Sequence, residues 1–105
     1  MPPKASHPFN RRENRIPMEI PVVLDGHRQV PGTEVTFTEN VSVKGARVMS
    51  VRRWETGSPL VFASRTGEFR SAARVAYCQP IHGDGYAIGV EFLETKGRWV
   101  VESTN

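Results

Sequence analysis

After the turn signal Gly83-Asp84-Gly85, the residues Tyr86, Ile88, Val90 and Phe92 occupy every second position. An extended backbone sends successive side chains to opposite faces, so a period of two reads as a half-buried strand. The same pattern recurs along most of the chain. Ile20, Val22 and Leu24 alternate up to Asp25-Gly26, and Pro17 and Pro21 confine this first strand to an edge or to interrupted pairing. After Pro31-Gly32, the stretch Thr33 to Thr38 is rich in β-branched and aromatic residues, with Val35 and Phe37 on one face. A polar turn over residues 39–44 leads to a strand over 46–51, in which Ala46 and Val48 share a face. Gly57-Ser58-Pro59 precedes a short strand over 60–64, and Thr66-Gly67 opens a long one over 69–79, with Val75 and Tyr77 in phase. About six strands with turns at short, regular intervals predict an all-β fold, a small antiparallel barrel or sandwich. Only residues 94–103 offer a short C-terminal helix, and Gly97 and the pair Val100-Val101 argue against it.

The remaining composition narrows the class. With 105 residues, 38% of them hydrophobic and 24% charged, the chain suits one domain that buries roughly two-thirds of its unfolded surface. No apolar run approaches the ~20 residues of a membrane span, and residues 1–8 show no apolar stretch behind their positive charge. A cytoplasmic location is expected. The single cysteine, Cys78, has no partner for an internal disulfide and falls within a strand pattern, where it reads as a small buried hydrophobe. Trp54 and Trp99 read as core residues.

Charge is distributed unevenly. The net charge is +3, and residues 1–15, with Lys4, Arg11, Arg12 and Arg15 against Glu13, already carry +3; residues 16–105 hold ten bases and ten acids. The basic surplus lies in the N-terminal segment. Its arginines present planar forks that match phosphate oxygens and the O6/N7 edge of guanine, and that stack on flat rings.

Catalytic patterns are absent from the sequence. His7, His27 and His82 fall in the leader or in turns without carboxylates or cysteines spaced as a metal set, and no glycine-rich, lysine-ending phosphate loop occurs. Two features stand out instead. Arg11-Arg12-Glu13-Asn14-Arg15 places three guanidinium groups just before the first strand, able to fold over a ligand. Asn40-Val41-Ser42-Val43-Lys44-Gly45 sets an amide and a hydroxyl two residues apart, on one side of an extended backbone, where both can donate and accept hydrogen bonds to a nucleobase edge. Gly45 permits either a positive φ or a close approach of backbone to ligand.

Together and in this order, the two elements resemble the PilZ domain family, bacterial receptors for cyclic di-GMP. Arg11 and Arg15 match its Arg-x-x-x-Arg motif, with Arg12 completing a double arginine. Asn40, Ser42 and Gly45 match its Asp/Asn-x-Ser-x-x-Gly motif, and Gly89-Val90-Glu91-Phe92 looks like the Gly-x-x-Phe segment of the last barrel strand. The resemblance implies a six-stranded, PilZ-like split barrel over residues 11–95, a flexible leader over 1–10 and a C-terminal tail over 96–105. It further implies a non-enzymatic sensor without a cofactor, whose ligand is cyclic di-GMP. Arg11, Arg12, Arg15, Asn40, Ser42 and Gly45 would form the binding site, and an arm that orders on binding would offer a new surface to a downstream protein partner. Two other classes are compatible with a small basic barrel: a binder of single-stranded nucleic acid, and a nucleotide-independent interaction adaptor. The neutrality of residues 16–105 weighs against the first, because a groove reader carries bases across its strands.

Overall fold

Each break between alternating segments becomes a turn, and each segment becomes a strand. The computed structural model describes residues 14–102. Seven strands run in chain order: β1 (Ile16–Pro17), β2 (Pro21–Asp25), β3 (Glu34–Ser42), β4 (Gly45–Ser50), β5 (Pro59–Ser64), β6 (Phe69–Pro80) and β7 (Tyr86–Gly97). All pairings are antiparallel, in the order β1-β3-β2-β5-β6-β7-β4, and a further β3–β4 pairing closes six of them into a barrel. The seventh, β1, is a two-residue strand that pairs with the far half of β3, Ile16 against Val41 and Pro17 against Asn40, where β2 no longer reaches. Thr38 ties this junction together. Its hydroxyl donates to the Met18 carbonyl at 2.6 Å and accepts from the Ile20 amide at 2.9 Å, fixing the link between β1 and β2.

The core follows the period of two. Val22, Leu24, Val41, Val48, Phe62, Val75 and Ile88 are fully buried inside the ring. Phe62, Phe69, Phe92 and Trp99 fill one end as a cluster of tilted and edge-to-face rings, with Phe69 and Trp99 4.7 Å apart. Trp99, buried as expected, also donates its indole N–H to the Ser42 carbonyl at 2.9 Å. Trp99→Phe keeps most of the ring and strands that carbonyl. It is expected to cost about 1–3 kcal/mol, read as a lower Tm in thermal denaturation; an unchanged Tm would show that the tie contributes nothing. At another corner Trp54 donates to Ser50 Oγ, which in turn donates to the buried Glu34 carboxylate at 2.8 Å.

Four expectations change. Residues 94–97 continue β7 instead of starting a helix, and no helix occurs among the described residues. Lys96 and Gly97 still pair with Arg70 and Phe69, so the long β6 strand extends its partner, and Gly97 then stops it with a φ of 88°. The polar turn expected over 39–44 contracts to the two residues Val43 and Lys44. Val41 belongs to the core, and burying it draws its polar neighbours into β3. Val75 and Tyr77 do not keep phase: a register shift between them sets Val75 against Val90 in the core and Tyr77 against Gly89 on the outer face. Finally, on β3 the face shared by Val35 and Phe37 is the outer one, with the two side chains 58% and 49% exposed. The inward positions are Glu34, half-buried Thr36 and Thr38, which the barrel accepts because each is hydrogen-bonded: Glu34 to Ser50 and the Val51 amide, Thr36 to the Met49 carbonyl, Thr38 as above.

Candidate ligand-binding site

The site begins with β1. Its register against β3 fixes the chain immediately after Arg15, and Arg15 Nη1 donates to Asn40 Oδ1 at 2.9 Å. One residue from each motif is thus joined across 25 positions of sequence. Arg11 and Arg12 lie outside the described residues.

Asn40 and Ser42 are both in β3, but they meet different surroundings. Asn40 is half-buried beside Arg15, whereas Ser42 is fully buried. The Ser42 hydroxyl donates to the Gly45 carbonyl at 3.4 Å, across the hairpin that Val43 and Lys44 turn. The Lys44 carbonyl also accepts from the Phe92 amide at 2.9 Å, binding the tip to β7. Of the two reasons for a glycine at position 45, close approach is the one that applies. Its φ is not in the left-handed region, and a Cβ there would be driven into the Val90 carbonyl oxygen.

A cavity of about 590 Å³ opens beside this hairpin, within the range typical of small-molecule sites. Arg15, Lys44, Gly45, Arg74, Tyr77 and Glu91 are among its lining residues. Sheet register explains its shape. Gly45, Glu91 and Arg74 lie side by side on β4, β7 and β6, and Arg47, Gly89 and Tyr77 form the next row. The two glycines leave bare backbone as part of the floor. Tyr77 lies across Gly89, where a Cβ would strike its ring.

The walls are held by polar contacts. Arg47 Nη1 donates to the Tyr77 hydroxyl at 3.0 Å and to Gln79 Oε1 at 3.2 Å, while its Nε donates to the Glu39 carboxylate. The Tyr77 hydrogen bond raises the Arg47 pKa; partial burial opposes this, and Glu39 adds to the rise, so the guanidinium stays charged at any pH the fold survives. Arg74 Nε donates to Glu91 Oε1 at 2.6 Å. Three cations, Arg15, Lys44 and Arg74, therefore line a cavity that contains one carboxylate. Such a balance suits an anion that also carries hydrogen-bond donors.

The sequence patterns pointed to Arg15 and Gly45 but missed Arg74, Tyr77 and Glu91. The alternation around Val75 and Val90 does assign Arg74 and Glu91 to the outer face. Their convergence on Gly45 depends on non-local register, which no local pattern encodes. No cluster of three or more metal-ligating side chains occurs among the described residues, and no described helix is long and apolar enough to cross a membrane.

A closed antiparallel barrel with an arginine bonded to the amide of its β3–β4 hairpin, beside a basic cavity, has the form of a small binding domain. The chain matches the family model of the PilZ domain over residues 9–98, and it belongs to that family. PilZ domains are a cyclic di-GMP-binding family that serves as binding and adaptor modules, not a catalytic one. No curated protein matches the chain.

Proposed function

We propose that this protein is a cyclic di-GMP receptor and adaptor. The segment carrying Arg11, Arg12 and Arg15 closes over the dinucleotide against the Asn40-x-Ser42-x-x-Gly45 hairpin, and the filled site presents a changed surface to a protein partner. The observation that carries this reading is the Arg15–Asn40 hydrogen bond at the edge of the cavity, which joins the two motif elements. Arg15 and its neighbours supply forks for phosphate and guanine, Asn40 supplies an amide for the base edge, and Gly45 leaves the floor open. Ser42, buried beneath, acts through the hairpin by holding the Gly45 carbonyl.

The energetics are sufficient. Charge-assisted hydrogen bonds contribute about 1.5–3 kcal/mol each, so a few of them with base stacking reach the roughly −8 kcal/mol of micromolar binding after ordering costs. The surface change follows from ordering a segment around the ligand.

Calorimetric titration of cyclic di-GMP into the full chain tests the proposal. Saturable heat that competing single-stranded oligonucleotide does not reduce is expected. No heat, or full displacement by oligonucleotide in a strongly salt-dependent manner, would overturn it. Asn40→Ala, which removes one hydrogen-bond acceptor from Arg15 and the amide from the base edge, is expected to weaken binding about tenfold with little change in Tm. Unaltered affinity would remove Asn40 from the site.

A further inference from the structure

Among the cations of the cavity wall, Glu91 is chemically out of place. A carboxylate facing a doubly anionic ligand repels it unless the carboxylate meets donors. Glu91 is fixed there by register. It pairs with Gly45 on one side and with Arg74 on the other, so its side chain stands next to the bare backbone of the motif glycine. Arg74 Nε grips Oε1 at 2.6 Å, while Oε2 accepts no hydrogen bond from a described residue. The carboxylate is half exposed and lines the same cavity as Arg15 and Lys44.

We infer that Glu91 reads the Watson–Crick edge of one guanine of the dinucleotide, with Arg74 as its positioning residue; the inference rests on the cyclic di-GMP reading above. Guanine presents two adjacent donors on that edge, N1–H and the 2-amino group. An ionised carboxylate offers only acceptors, two oxygens with about four lone-pair sites, so Oε1 can serve Arg74 and one guanine donor together while Oε2 takes the other. Adenine offers an acceptor at N1 and has no 2-amino group. It would place a lone pair against the carboxylate and leave Oε2 desolvated and unpaired. Sites built to hydrogen-bond a specific group reject analogues that lack it far more strongly than apolar pockets reject a misfit. Glu91 thereby adds base selectivity on the Watson–Crick edge, which the arginine forks, matched to phosphate oxygens and the O6/N7 edge, do not read.

The experiment is a cycle of two proteins and three ligands. Wild type and Glu91→Gln are titrated with cyclic di-GMP, cyclic di-IMP, which lacks only the 2-amino groups, and cyclic di-AMP. Wild type is expected to prefer cyclic di-GMP over cyclic di-IMP, and cyclic di-IMP over cyclic di-AMP. Glu91→Gln is expected to bind cyclic di-GMP about tenfold or more weakly and to narrow the gap between the guanine and hypoxanthine ligands to about twofold. Equal wild-type affinity for cyclic di-GMP and cyclic di-IMP overturns the inference without any variant. So does a Glu91→Gln protein that binds cyclic di-GMP as well as wild type or better, the result expected if the carboxylate merely opposes the phosphates. Failure of wild type to bind any of the three overturns the receptor reading and this one with it. Binding by wild type with an unresponsive Glu91→Gln overturns this one alone. The substitution is isosteric at a half-exposed position, and matching melting curves confirm that affinity, not folding, is being read.

Discussion

Gly45→Ala is expected to be the most destabilising single-methyl addition in the hairpin, lowering stability by about 2–3 kcal/mol. For a domain of this size that corresponds to a fall in Tm of roughly 10–20 °C. The cause is a backbone contact. The new Cβ would be driven into the Val90 carbonyl oxygen, and Glu91 Cα is near as well, so no side-chain rotation gives relief. β4 and β7 would have to separate along a ladder that runs from Gly45–Glu91 to Ser50–Tyr86. Gly32→Ala is the comparison. That position has open space around it and a φ of 89°, so alanine there meets only the left-handed backbone penalty of about 1–2 kcal/mol. Thermal denaturation of both variants separates close approach from backbone conformation. Should Gly45→Ala melt at or above Gly32→Ala, close packing of β4 on β7 is not what requires the glycine.

Arg15→Ala is expected to have the largest effect on ligand binding, a loss of about ten- to hundredfold in cyclic di-GMP affinity. A guanidinium fork on phosphate or guanine supplies two parallel charge-assisted bonds, and alanine replaces neither. The barrel itself should hardly register the change. The Arg15–Asn40 bond is exposed, and the packing of β1 on β3 rests on Ile16, Pro17 and the Thr38 hydroxyl. Calorimetry and melting curves on the same sample therefore give opposite signs of importance for Arg15 and Gly45. An Arg15→Ala protein that retains wild-type affinity would remove this arginine from the binding surface.

Strand positions were legible because alternation is local. Val22 and Leu24, Val48, Val75, Ile88 and Val90 all face inward as their spacing requires, and the turns at Asp25-Gly26 and Thr66-Gly67 fall where glycine permits φ values of 100° and 85°. Alternation identifies two faces but does not say which is inside. On β3 that choice went to Glu34 and Thr38, because hydrogen bonds to Ser50, Val51, Met18 and Ile20 satisfied them and left Val35 and Phe37 outward. The extent of β3 was hidden for a related reason. Asn40 and Ser42 have the composition of a turn, but pairing with β4, and for Asn40 with β1 as well, holds them in a strand, with a register shift between Thr38 and Asn40. In the candidate site, Arg15, Asn40 and Gly45 were visible as motif residues. Arg74, Tyr77 and Glu91 were not, since their neighbours are set by which strands adjoin, and β4 adjoins β7 across almost half the chain.

Ring closure has a consequence for how this protein behaves in a crowded solution. An open sheet ends in a row of unsatisfied amides and carbonyls that recruits strands from other molecules. Here β3 and β4 meet and remove most of that row; among the described strands, β7 beyond Phe92 and β6 beyond Val75 stay paired on one side only, and the outermost strand, β1, is two residues long with a proline as its second. A proline has no amide proton to offer a newcomer. Ring closure thus confines the template for β-type self-association to the protruding ends of β6 and β7, even though seven strands make up all of the described regular structure.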